Sequence, residues 1–167
     1  MNTWLELLKN NDYLNVKKYI KDGGDLEETN ENGESVLACA IISGCDIDLL
    51  MLLIDNGADI FDFDDEGVSI FDLSVTYNNI EMVNFLISKG LDVNKTTRRS
   101  GFTALMAAAC YGRVEIAKIL LEKGAKQETI DAKGFTAMDF ARKMNKKSVL
   151  KILDFDEDDA RNTGFAR

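Results

Sequence analysis

"GFTALMAAACYGRVEIAKILLEKGA", residues 101–125, decides the fold of this chain. It opens on a glycine, passes one residue, and places Thr103 just before an apolar run. A threonine there suits a helix N-cap, because its side-chain oxygen can take a backbone N–H that the helix leaves without a partner. The run "TALMAAACYG" is short and rich in small residues, so its helix can be packed closely from both sides. The next run, "VEIAKILLEKG", carries Val114, Ala117, Leu120 and Leu121 at helical spacing and ends at Gly124. Glycine just past a helix end can take the left-handed conformation that closes it. The stretch therefore reads as two short helices, neither of which can bury its apolar face alone.

The same grammar recurs along the chain. "GESVLACAIISG" begins at Gly33, "GVSIFDLSVTYN" at Gly67 and "GFTAMDFARKMN" at Gly134, so that with Gly101 the spacings are 34, 34 and 33. Ser35, Ser69, Thr103 and Thr136 take the capping position in turn. A second glycine returns in "LLIDNGADI", "FLISKGLDV" and "ILLEKGAKQ", and the N-terminal "KKYIKDGGDLEE" ends the same way. A period of this length indicates a solenoid whose core is made by stacking neighbouring units. The fold class expected is an all-α repeat solenoid.

Residues 101–125 resemble the ankyrin-repeat pattern, G-x-T-P-L-H-x-A followed by an outer helix ending in L-L-x-x-G-A. The resemblance runs from about residue 3 to 153. It implies antiparallel helix pairs joined by projecting β-turn fingers, in about five repeats including caps. The boundaries expected are an N-terminal capping repeat at 1–30, repeats at 31–64, 65–97 and 98–130, and a C-terminal capping repeat at 131–153. Together these make one domain, 1–153, with 154–167 as an acidic, flexible tail.

The departures from that pattern are specific. Val36, Ile70, Ala104 and Ala137 stand where the family has proline, and Ala38, Asp72, Met106 and Asp139 where it has histidine. The first change is harmless, since proline is merely convenient in a first helical turn. The second removes a hydrogen bond that, in the family, helps tie neighbouring repeats. One extra residue in "GCDIDLLMLLIDNG" should disturb the turn around Cys45–Asp48, and another in "GLDVNKTTRRSG" should lengthen the finger at 91–101.

Other chemistries find little support. "FDFDDEG", 61–67, approaches the start of a calcium loop, but the twelfth position counted from Asp62 is Leu73, where a bidentate glutamate is needed. The repeat register accounts for Gly67 and Ser69 without a metal. The chain has no histidine, which removes His-based triads and zinc sites, and no glycine-rich phosphate loop. Three cysteines, Cys39, Cys45 and Cys110, show no C-x-x-C spacing and are expected as reduced thiols. Cys39 is expected in the core. Cys110 reads as either a small apolar filler or a contact or reactive thiol. No apolar run approaches the ~20 residues of a membrane span, and the N-terminus lacks the order of a signal peptide. The expectation is a cytoplasmic, non-enzymatic protein without a cofactor.

Charge is distributed unevenly. From Asp22 to Ser88 there is no lysine or arginine against sixteen acids, whereas Lys89 to Leu153 holds fourteen bases and six acids. In a solenoid, sequence order is spatial order, so an acidic lobe followed by a basic one is expected. Such a field orients a partner and weakens with salt. A net charge of −9 argues against nucleic acid or membrane as that partner.

A protein of unidentified kind is the partner expected, with self-association possible and a fold-back of the acidic tail on the basic repeats a third option. The contact residues expected on the fingers are Phe61, Asp64, Asp65, Glu66, Val68, Arg98, Arg99 and Phe102. Those expected at the inner-helix ends are Tyr77, Cys110 and Tyr111. Phe61 stands where the family usually has a small polar residue, often asparagine, and either Phe61 or Phe63 could pack between fingers instead. Some small bacterial ankyrin proteins resembling this one accompany catalases, and Tyr77, Tyr111 or Cys110 would then offer a haem ligand. A host-directed effector is the other alternative.

Overall fold

The computed structural model describes residues 1–153, and the expected tail at 154–167 lies outside them. Among the described residues the chain forms nine helices of seven to nine residues, followed by a helical run at 147–153. This is the expected all-α repeat architecture. The β-structure described is limited to two isolated antiparallel bridges, Thr29 with Ser35 and Phe63 with Ser69, at the bases of two fingers. Two compact units are present, Met1–Gly90 and a second that begins at Leu91.

The first unit contains α1 (Asn2–Lys9), α2 (Tyr13–Lys21), α3 (Val36–Ile42), α4 (Ile47–Asp55), α5 (Ile70–Thr76) and α6 (Ile80–Ser88). The helices α1, α3 and α5 pack in a row, and each carries its following helix as an outer partner. Composition explains the division of labour. Six consecutive residues of α3, Val36–Ile41, are buried, so that helix is packed on every side. The outer α4 and α6 bury only a stripe, Leu49, Leu50 and Leu53 in one and Met82, Val83 and Leu86 in the other. At the start of the unit Trp4 is fully buried, donates its indole N–H to the Asp25 carbonyl at 2.9 Å and meets the Tyr19 ring edge-on at 4.8 Å.

The second unit contains α7 (Ala104–Tyr111), α8 (Val114–Glu122), α9 (Ala137–Lys143) and the run at 147–153. Helix α7 packs against both α8 and α9 and buries Ala104–Ala109. The buried stripe of α8 is Ile116, Ala117 and Leu120. That corrects the face expected from sequence: Val114 and Leu121 are only half-buried at its margins. The observed stripe has the i, i+1, i+4 form of α4 and α6, so the repeat register rather than the local pattern selects it.

All four expected caps form. The hydroxyls of Ser35, Ser69, Thr103 and Thr136 accept the backbone N–H three residues on, at 3.3, 3.1, 3.2 and 3.3 Å. Two of the residues that replace histidine take on a new task. The Asp72 and Asp139 carboxylates each accept the N–H and the hydroxyl of their own cap residue at 2.9–3.0 Å, closing a capping box within the repeat.

Both extra residues fall where expected. The α3–α4 turn spans residues 43–46 against 77–79 in the α5–α6 turn, and the added length tucks Cys45 into the core with Sγ 3.2 Å from the Leu8 carbonyl. The third finger spans 89–103, one residue longer than its counterpart at 56–69. Every inter-helix turn also needs one left-handed residue. Asn11, Gly44, Asn78, Gly112 and Asn145 supply it, with φ between 48° and 75°.

Candidate functional site

The fingers are built by side chains that accept backbone N–H groups. Asn30 Oδ1 accepts from Asn32 and Glu34, Asp64 Oδ1 from Glu66 and Val68, and Asp131 Oδ1 from Lys133 and Phe135, all at 2.9–3.0 Å. A short oxygen-bearing side chain at this position holds the turn. Asp64 is thus committed to its own finger, and its neighbours Asp65 and Glu66 are the exposed acids at the tip. Among the described residues no group of three Cys, Asp or Glu converges as a metal site. Asp65 also lies against the preceding finger, where its carboxylate would come within 2.9 Å of a Cβ at Gly33.

In the third finger the turn-building position is Arg98. It keeps the turn hydrogen bond, Gly101 N–H to the Arg98 carbonyl at 3.0 Å, but has no short acceptor side chain to offer. Thr96 takes over, accepting from the Arg98 N–H at 3.1 Å and donating to the Phe102 carbonyl at 2.7 Å. The Arg98 guanidinium lies instead over the Phe102 ring, 4.9 Å from its centroid. Phe102 meets Phe140 edge-on at 5.1 Å, and Phe140 meets Phe135 at 6.1 Å. Phe135 is 43% exposed, and Arg99 and Lys133 are exposed beside this series. Arg98, Phe102, Phe140 and Phe135 are therefore brought together as one series, and Arg99 is the exposed chain neighbour of Arg98. Phe140, which the sequence reading passed over as part of the last inner helix, sits at the centre of that series. The Ala132 N–H donates to the Ser100 carbonyl at 2.8 Å and fixes the third finger to the fourth.

Sequence comparison agrees with this geometry. A family model described as ankyrin repeats in three copies matches residues 6–97 and 92–162. The chain belongs to the ankyrin-repeat family. It is 40% identical over 98 residues to the E3 ubiquitin-protein ligase hecd-1 of Caenorhabditis elegans, covering 58% of this chain and 4% of that protein. It is 31% identical over 146 residues to the palmitoyltransferase AKR1 of Lachancea kluyveri, covering 84% of this chain and 20% of the relative. It is also 34% identical over 80 residues to the ankyrin repeat and SAM domain-containing protein 6 of Rattus norvegicus, covering 48% and 9%. The chain spans a fifth or less of the length of these relatives. Two of them bear enzyme names, but what matches in this chain is its ankyrin repeats.

Within the ankyrin register, Asn94 shows what the Phe61 position ordinarily does. Its amide donates to the Gly124 carbonyl and its carbonyl accepts from the Lys126 N–H, both at 2.9 Å, joining one repeat to the next. A phenylalanine side chain cannot make those bonds, and Phe61 stands 53% exposed. Phe63 is exposed to the same extent, so the alternative in which one of the two rings packs between fingers is not what the structure shows. Val68 is half-buried. Tyr77 and Tyr111, each at the end of an inner helix of its own unit, are 48% and 45% exposed.

Of the three cysteines of this ankyrin chain, Cys39 lies in the core as expected. Cys39 and Cys45 are buried, and each thiol is pushed up to about 11, chiefly by burial and secondarily by the neighbouring carboxylates of Glu34 and Asp46. Cys110 is half-buried at the end of α7. Among the described residues no helix is long and apolar enough to cross a membrane.

Proposed function

We propose that this chain is a non-enzymatic binding module that captures a protein partner through its ankyrin fingers and the adjoining inner-helix ends. Ankyrin repeats are in general protein-interaction modules, and the chain consists of them over nearly its whole described length. The observation that carries the finger reading is Arg98. At the position where three other fingers keep a turn-building Asn or Asp, this one carries a guanidinium laid on an aromatic ring, beside an exposed Arg99. Arginine and aromatic side chains are the residue types that dominate interface energetics. An exposed pair of phenylalanines beside Asp65 and Glu66 offers a second contact, of opposite charge, in the first unit.

Charge supports a protein partner that is itself polar. The unit Met1–Gly90 holds eighteen acids and five bases, and residues 91–153 hold thirteen bases and six acids. The test is capture from native lysate on immobilised full-length chain at low and at high salt, followed by direct titration of whatever is captured. Reversal of Arg98 and Arg99 to Glu should lower capture at least tenfold, and raised salt should weaken it. Capture unchanged by the reversal would place the contact elsewhere.

A further inference from the structure

A groove runs along the outer face of the first unit between α2 and α4, formed by residues outside the finger surfaces. It encloses about 670 Å³, with Leu14, Ile20 and Leu52 as apolar lining and Lys17, Lys18 and Lys21 along the α2 side. Leu14 is 77% exposed, more than any other large apolar side chain among the described residues. A second depression of about 380 Å³ shares Leu52 and is edged by Asp46, Asp48 and Asp55. The two depressions adjoin at Leu52, the first lined by lysines and the second edged by aspartates.

A single exposed leucine is ordinary. The lysines are not ordinary here, because the unit has five basic side chains against eighteen acids and three of the five line this groove. Lysine stems lie readily along apolar surface while the ammonium stays in water. An apolar floor lined by lysines, with aspartates at the adjoining depression, selects both the chemistry and the direction of what covers it.

We propose that this groove docks a short amphipathic segment of another protein, its apolar side chains seated on Leu14, Ile20 and Leu52 and its acidic end over Lys17, Lys18 and Lys21. The aspartate-edged depression would face uncharged or basic residues of the same segment. The three lysines along the α2 side favour an acidic segment as the occupant, and a second copy of the chain is an outcome of the test below. The nine residues of α2 span roughly 13 Å, so two to three turns of a docked helix, with apolar residues at i, i+3 or i+4 and i+7, match the groove.

Selection of random twelve-residue displayed peptides on the full chain tests this directly, with an enriched peptide then synthesised, labelled with fluorescein and titrated by anisotropy. The expected sequences combine apolar residues at helical spacing with acids clustered at one end. Binding should weaken at least tenfold in Leu14→Asp and in the triple variant K17E/K18E/K21E, and persist in K17R/K18R/K21R. All these positions are exposed, and circular dichroism checks that each variant is folded. No enrichment, enriched peptides without acids, or binding indifferent to these variants would overturn the proposal. So would a concentration-dependent dimer abolished by the same variants, which would identify a second copy as the occupant. The variants Arg99→Glu and Phe135→Ala should leave peptide binding unchanged, which separates this surface from the fingers.

Discussion

Arg98 and Asp64 occupy one finger position and have opposite roles. Asp64 accepts two backbone N–H groups and builds its turn, so Asp64→Ala should lower stability by about 1 kcal/mol. Exposed Arg99, by contrast, can be changed to Glu with an expected effect on melting within about 0.5 kcal/mol. The Asp139 carboxyl is held below the usual range, chiefly by the N–H of Thr136 and also by its hydroxyl. Because the folded value is the lower one, its contribution to stability is complete above the ordinary aspartate value and is lost as pH falls through the depressed one. Carboxyl NMR should show Asp139 titrating below the ordinary range, and Thr136→Ala should move it upward. Cys39 and Cys45, with thiols near 11 and buried, should resist iodoacetamide at pH 8 until the chain is unfolded, as read by mass spectrometry. Prompt alkylation of either in the folded protein would contradict the burial described.

At the scale of the element, the helices are short and depend on their ends. Seven-residue helices such as α5 and α9 are too short to persist alone. Their caps therefore matter, and the capping box makes Ser69→Ala costlier than Ser35→Ala, whose third helical residue is an alanine. The first should cost about 1 kcal/mol or more and the second somewhat less in thermal unfolding. Glycines separate by cause in the same way. A Cβ at Gly24 would lie 2.7 Å from the Tyr19 ring and 2.9 Å from its carbonyl, so Gly24→Ala should cost about 1–3 kcal/mol through overpacking. Gly57 has open space but φ of 108°, so Gly57→Ala should cost about 1–2 kcal/mol through backbone strain alone. Equal melting temperatures for Gly24→Ala and the parent would remove the close approach to Tyr19 as an explanation.

At the scale of the molecule, charge is the dominant unbalanced quantity. A net charge of −9, with eighteen acids and five bases in the unit Met1–Gly90, sets like charges against each other in the folded state. Added salt screens that repulsion over about 8–10 Å near physiological strength. The melting temperature should therefore rise as sodium chloride is raised from low to moderate concentration, while partner capture through the fingers should fall. Two opposite salt responses from one protein distinguish self-repulsion from recognition, and a melting temperature that falls with salt would show that attractive pairs outweigh the repulsion.

The fold was legible in the sequence because it is periodic and local. Gly33, Gly67, Gly101 and Gly134 mark the fingers, and Ser35, Ser69, Thr103 and Thr136 cap the next helix by contacts within three residues, so spacing alone locates them. The two extra residues could likewise be placed by counting. What spacing could not decide was which way a side chain faces when its partner comes from another repeat. The buried stripe of α8 is set by its neighbours at Ile116, Ala117 and Leu120. The exposure of both Phe61 and Phe63, the aromatic series from Arg98 through Phe140 to Phe135, and the lysine-edged groove between α2 and α4 all arise where distant segments meet. Local hydrogen bonding and periodicity wrote the repeat into the sequence, and packing between repeats, which no single segment contains, decided which side chains the surface presents.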